Sequence, residues 1–390
     1  MSRHYWTDPL TWAGNAAIFM FGVVIAMLGG LLPALFERAN LDPAQAGSLF
    51  LFLSLGSFVV TVSSGPVFDK IGYRLILIVC SLAVCAALWL MATAVDYPTL
   101  VLSSALLGMG GGGLNLGANA LVSDLYPSGE TVALNRLGIF FGLGTFFIPF
   151  FIGILLESLG VGGVLVFSGS LALIPGVLFL LLRFPEGKHA ETFPVGEAVE
   201  LLKKPYVLLL GILLLFQSGN EMTTSGWLTT YLVRELQIST SNAAFYLSTF
   251  WAMVILGRAC SGWFLRVLGA GRVVSWGALG AAAGVILLLL FPDRYLSFAV
   301  VGLIGFAMSP IFPTVMGEAS GRYPKFSGTV IGALMSIALI GGMLVPWLAG
   351  LVVSWYGPGG AFFFPIAGFI GVCLIQTYVS IRYHGPRQEG

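Results

Sequence analysis

Twelve apolar stretches, each long enough for a membrane-crossing helix, follow one another along the 390 residues with mostly short polar breaks between them. At about 1.5 Å per residue, a helix needs about 20 residues to cross ~30 Å of bilayer hydrocarbon. The stretches lie near 10–36, 43–67, 75–94, 98–123, 131–156, 161–183, 205–233, 241–264, 272–291, 295–317, 327–353 and 360–382. They predict an all-α membrane protein of twelve transmembrane helices. Composition agrees, since 9% of residues are charged where a soluble domain carries about a quarter. The run from Leu10 is too long for the core of a cleavable signal, and Met1–Asp8 ahead of it is short and polar, so the first stretch is expected to stay as a span.

A net charge of +1 supplies no basic field for nucleic acid. Partners are therefore expected to be the lipid bilayer and a small-molecule solute, with the chain a monomer. Cys80, Cys85, Cys260 and Cys373 all lie inside apolar runs without the paired spacing of a zinc site, and they read as small buried hydrophobes. His4, His189 and His384 fall in the tails and the central loop, which leaves no His/Cys cluster in the membrane to hold a metal. No nucleophile is paired with a base either, so an intramembrane enzyme is disfavoured. The glycine-rich GMGGGG at 108–113 lacks the Lys-Ser/Thr of a nucleotide loop. No cofactor is expected, and energy must come from a gradient of H⁺, Na⁺ or the solute itself.

Cytoplasmic connections retain Lys and Arg. With the N-terminus inside, fourteen cations from Arg3 to Arg387 collect on the inner side and only Arg38, Arg234 and Arg294 on the outer. The chain is thus expected to be a multi-pass protein of the plasma (inner) membrane with both termini cytoplasmic. The one long polar connection divides it into a six-helix bundle at 1–184, a cytoplasmic loop at 185–204 and a second six-helix bundle at 205–390. A shift of 197 residues superposes Gly65 on Gly262, Gly72 on Gly269, Gly108 on Gly305, Tyr126 on Tyr323, Pro127 on Pro324, Gly144 on Gly341, Pro149 on Pro346 and Gly160 on Gly357. Matches at a fixed offset mark duplicated units, and the two bundles are read as pseudo-symmetric copies.

The connection after the second span reads GPVFDKIGYR, 65–74. Gly65, Asp69, Lys70, Gly72 and Arg74 fit the pattern Gly-x-x-x-Asp-Arg/Lys-x-Gly-x-Arg, and Gly262, Arg266 and Gly269 keep a reduced copy. In this, and in its two sets of six spans, the chain resembles the major facilitator superfamily over its whole length. The resemblance implies a secondary transporter that alternates access by rocking its two halves. It also implies a cytoplasmic latch, in which Asp69 with nearby cations holds the inner ends of the halves and Gly65 permits close helix approach.

Ionisable groups at bilayer depth cost at least about 2.5–3.5 kcal/mol, so they face a cavity or a partner. Glu221 stands 16 positions beyond Pro205, ~24 Å along a helix, while the other carboxylates sit at or near membrane boundaries. It is the candidate coupling carboxylate. Gln217, Asn220, Glu221, Thr224 and Trp227 recur at three- and four-residue steps and so share a helix face. Such a face would offer amides, a carboxylate and an indole ring to a sugar, whose hydroxyls need amide or carboxylate partners and whose C–H faces stack on aromatic rings. The alternative is that these groups join helices by satisfying one another. Asn115 and Asn119, one turn apart in the fourth span, and Trp251 in the eighth are further candidates.

The glycine-rich fourth span, LNRLGIFFGLG at the start of the fifth, Gly-Asn-Glu ahead of Trp and Tyr in the seventh, and Pro-x-Phe-Pro-Thr in the tenth resemble the fucose/glucose permease branch of cation-coupled sugar importers. That resemblance implies that Glu221, Gln217, Asn220, Asn115 and Asn119 are site residues. Members of that branch use acids in the first and fourth spans for proton coupling, whereas here Asn15 and Asn115 or Asn119 stand there. Coupling by H⁺ or Na⁺ then falls to Glu221, or transport is uncoupled. Arg258 with Glu318, and Asp124 with Arg136, are expected to form two inner-face ion pairs that gate the cytoplasmic side, the alternative being static neutralisation. The sequence thus points to cation-coupled uptake of a monosaccharide. A multidrug or other small-solute exporter of the same fold and an uncoupled sugar facilitator are the alternatives.

Overall fold

The computed structural model describes residues 5–126, 130–184, 200 and 203–384, apart from the side chains at 62–71, 131, 325, 327 and 384. Among these residues there is no strand. In hydrocarbon an α-helix satisfies every backbone amide within one segment, so a chain this apolar folds into helices. The first four spans are Pro9–Arg38, Pro43–Ile71, Tyr73–Thr93 and Tyr97–Leu125; the seventh to ninth are Pro205–Glu235, Thr240–Leu268 and Ala270–Leu290. The tenth is built from Arg294–Met308 and Ile311–Arg322, and the last two are Ser327–Tyr356 and Phe363–His384. Capping sets several of the starts. Asp8, Asp96 and Asp293 each accept a hydrogen bond from the first turn of the helix they precede, the first two with proline at its opening.

Eleven helical stretches among the described residues are long and apolar enough to cross a membrane. One of them is double. The 42-residue helix Glu130–Leu171 is broken at Gly160 (φ 64°, ψ 176°), so the fifth span passes directly into the sixth, which Leu173–Leu181 completes. Twelve spans therefore stand as expected, two of them joined without a loop.

The backbone repeats with the sequence. Gly72 (φ 80°, ψ 155°) precedes the third span and Gly269 (φ 78°, ψ 159°) precedes the ninth, and Gly357 (φ 73°, ψ −178°) reproduces the geometry of Gly160. This region is essentially open only to glycine, which explains why these positions keep the same residue at the 197-residue offset. Close approach repeats as well. A Cβ on Gly108 would overlap the carbonyl of Leu53, and one on Gly305 would overlap that of Phe250, a residue displaced from Leu53 by the same offset. Pro149 and Pro346 sit inside the fifth and eleventh spans.

The chain divides into two compact units, Met1–Thr192 with Ile238–Ser248, and Phe193–Gln237 with Thr249–Gly390. In the first unit the first span packs along the fifth, and the fourth lies against the second and third. In the second unit the seventh span is the hub, packed along the eleventh and twelfth. The start of the eighth span belongs to the first unit, where Ser248 Oγ donates to Phe146 O at 3.1 Å and the Phe245 ring lies 5.7 Å from that of Phe150. The boundary between units thus runs through the eighth span as well as the central loop. Most of 185–204 lies outside the described residues.

Candidate functional site

The polar residues of the seventh span turn to different neighbours. Gln217 is fully buried and its Nε2 donates at 3.3 Å to Met308 O, at the point where the tenth span is interrupted between Met308 and Ile311. A helix end leaves carbonyls without intrahelical donors, and Gln217 supplies one. Asn220 packs its amide against Gly368 of the twelfth span. Trp227 donates from Nε1 to Pro346 O of the eleventh at 3.1 Å. Glu221 faces Arg258 of the eighth. The expected common face is therefore shared out among four helices. At 3.6 residues per turn, successive residues point about 100° apart, so Asn220 and Glu221 reach different partners, and the predicted stripe is wide enough to touch several helices at once.

The charged centre of this unit is an ion pair, Arg258 Nη2 to Glu221 Oε1 at 3.6 Å, with Glu221 16% and Arg258 37% exposed. The distance is longer than a hydrogen bond, and Arg258 Nε has no partner among the described residues. Arg258 is set in place by Gly257, which packs onto Ser309 and the Phe306 carbonyl of the tenth span. Among the described residues Arg258 pairs with Glu221, and Glu318 Oε1 accepts from Tyr206 Oη at 3.2 Å. The signal for the pair that forms was present in the sequence. Glu221 lies 14 residues before the end of the seventh helix and Arg258 18 residues after the start of the eighth. In an antiparallel pair of helices that leaves them only about 6 Å apart in depth, within reach of an arginine.

In the first unit Asn119 Nδ2 donates to Asn115 O at 2.8 Å and to Asn115 Oδ1 at 2.9 Å. The two amides thus form one polar element, and the Asn115 Nδ2 donor and the Asn119 Oδ1 acceptor have no partner among the described residues. Asn15 is buried and accepts from Tyr5 Oη at 2.8 Å. The expected Asp124–Arg136 ion pair is absent among the described residues. Arg136 instead lies over the rings of Tyr5 (5.2 Å) and Trp6 (5.6 Å), which satisfy it by cation–π attraction. Burial pushes the Tyr5 phenol up to about 12.

Of the predicted latch, the side chains of Gly65, Asp69 and Lys70 lie outside the described residues. Gly72 makes the sharp entry to the third span, as above. Arg74 donates to the carbonyls of Phe179 and Leu180 at the end of the sixth span of its own unit. There it caps a helix C-terminus, where a cation is favoured.

Trp251 is 1% exposed and meets Phe250 edge-on at 5.4 Å, yet its Nε1 has no partner among the described residues. Thr224 Oγ1, Gln217 Oε1 and Asn220 Nδ2 are in the same position. A buried polar atom without a partner costs about 1–3 kcal/mol, so these atoms are the places where water or a solute would be gained most readily. Two apolar grooves of about 400 and 460 Å³, one around Thr249 and Phe306 and the other around Val352 and Phe363, contain none of the candidate residues. No group of three His, Cys, Asp or Glu occurs among the described residues.

Comparison with known proteins agrees with this architecture. The family described as Major Facilitator Superfamily matches residues 15–337 and, a second time, 214–389. The glucose/mannose transporter GlcP of Bacillus subtilis is 24% identical, over 96% of this chain and 95% of its own. The sodium-dependent glucose transporter 1A of Mus musculus is 21% identical, over 87% of this chain and 89% of its own. The crystal structure of the nucleoside transporter NupG superposes with a TM-score of 0.79 at 13% identity, covering 97% of this chain and 100% of that one. Such a likeness speaks for the fold alone. Taken with twelve spans in two glycine-matched sets of six, these matches identify the chain as a multi-pass membrane transporter that belongs to the major facilitator superfamily.

Proposed function

We propose that the protein takes up a monosaccharide by cation-coupled alternating access, as in the fucose/glucose permease branch, from the plasma (inner) membrane with both termini in the cytoplasm. The observation that carries this reading is the Glu221–Arg258 pair. It is the one acid–base pair held away from helix ends among the described residues, it is loosely held, and its two members come from different helices. A carboxylate that gains and loses a positive partner as the helices move is the chemistry a coupling site requires. A proton suits it better than Na⁺. Arg258 already stands where a bound metal cation would sit, whereas a proton adds to a carboxylate oxygen without displacing the guanidinium.

Each unit offers its own groups for sugar hydroxyls: in the first, the paired amides of Asn115 and Asn119; in the second, Trp251 Nε1 and Thr224 Oγ1, which have no partner among the described residues. The names of the glucose-transporting relatives support a hexose-sized solute. The test is uptake of labelled hexoses and deoxyhexoses into proteoliposomes under imposed pH or Na⁺ gradients, with wild type and Glu221→Gln compared. Accumulation in the wild type, reduced to exchange in the variant, is expected. Equal accumulation by both proteins would remove Glu221 from the coupling role, and accumulation without any gradient dependence would favour a facilitator.

A further inference from the structure

The spans carry very little charge away from their ends. Between Tyr206 and Tyr231 the seventh span has no ionisable group but Glu221, and the eighth has only Arg258, Tyr246 and Cys260 before Arg266. The tenth has none between Tyr295 and Glu318, the eleventh none before Tyr356, and the twelfth only Cys373 and Tyr378 before Arg382. Glu318 is already engaged by Tyr206. When Glu221 is ionised, the pair is neutral. When it is protonated, Arg258 is left as a single positive charge at membrane depth, and no other carboxylate on the neighbouring spans replaces the lost partner.

The guanidinium is built to take another. It is more exposed than its acid (37% against 16%), it is held at 3.6 Å with no hydrogen bond, and its Nε has no partner among the described residues. A planar guanidinium binds a carboxylate by two parallel hydrogen bonds, tighter than the contact it makes with Glu221. We infer that the transported monosaccharide carries a carboxylate, as in a hexuronate or an aldonate, and that this group takes the place of Glu221 on Arg258. This rests on the sugar-carrier reading above and specifies the solute. The charges balance. A proton from the medium adds to a Glu221 oxygen, the solute carboxylate closes on Arg258, and the loaded site is neutral like the empty one. Symport of one proton with one singly charged acid is therefore electroneutral.

The experiment uses the full chain in proteoliposomes with labelled glucuronate, galacturonate and gluconate beside glucose and galactose, under an inward proton gradient with and without a potassium-diffusion potential. The expected result is accumulation of the acids that the potential does not change. Unlabelled acid should compete well and unlabelled hexose poorly. Arg258→Gln should weaken acid binding by about tenfold or more, with Arg258→Lys in between, while Glu221→Gln still exchanges the acid but does not accumulate it. Hexose accumulation that unlabelled acids do not inhibit would overturn the inference and leave the sugar-carrier reading intact. Movement of neither class would overturn both. Should Arg258→Gln fail to reach the membrane, the Lys variant and wild-type competition decide the matter alone.

Discussion

Neutralising the two members of the ion pair singly and together gives the most direct test of whether they act as a unit. Arg258→Gln leaves a carboxylate that is 16% exposed without the charge that stood 3.6 Å away. Breaking a fully buried pair on one side costs about 3–5 kcal/mol, whereas an exposed pair is worth about 0–1 kcal/mol. With one partner 37% exposed and no hydrogen bond between them, this pair falls between the limits, and Arg258→Gln is expected to destabilise by about 1–2 kcal/mol. Glu221→Gln strands the more exposed group and should cost less, about 1 kcal/mol or under. In the double variant neither charge is left alone, so stability should return to within about 0.5 kcal/mol of wild type. Thermal unfolding of the purified protein in one detergent, followed by intrinsic fluorescence, would order the four proteins. A double variant as unstable as the sum of its singles would refute the coupling argued from the geometry.

Other expectations follow from the packing. Gly269→Ala places a side chain at φ 78°, ψ 159° and should cost about 1–3 kcal/mol, while Gly262→Ala, which meets nothing within 4 Å, should leave the melting temperature unchanged or raise it. Trp227→Phe removes the donor to Pro346 O and should destabilise by about 0.5–1.5 kcal/mol, measurable in the same assay. Tyr5 has its folded pKa raised from 10.0 to about 12 by burial, so the unfolded chain releases that proton first. Its contribution is complete below pH 10.0 and is lost as pH rises toward about 12. Tyr5→Phe should abolish that part of the alkaline loss, read by comparing the melting temperatures of the two proteins across this window.

The fold was legible because its determinants are local. Span length, the proline and aspartate at helix starts, and glycines such as Gly72 and Gly269 that only one backbone geometry explains can all be read along the chain. The candidate site was legible in its members and less so in its directions. Periodicity puts Gln217, Asn220, Glu221 and Trp227 on one broad stripe, but which neighbour each touches depends on how four helices pack around the seventh. Arg258 and Glu318 lie toward the same membrane side, which makes a gate pair the expectation from sequence; depth along antiparallel helices points as well to Glu221, the partner Arg258 has in the structure. The cover of Tyr5 and Trp6 over Arg136 had no signal of this kind, since it depends on a turn folding back beneath the first span.

Counting back 197 residues from Glu221 and Arg258 reaches Val24 and Thr61. Val24 is buried against Gly111, and Thr61 donates to Ser57 O of its own helix. The backbone devices are held in common by the two halves, but the acid and the base belong to one of them. Electrostatics has thus been separated from architecture, so the charges can be exchanged, lost or regained in the second half without disturbing the glycine contacts that keep its helices together. The same separation gives protein engineers a neutral counterpart site, at Val24 and Thr61, into which an acid and a base could be introduced.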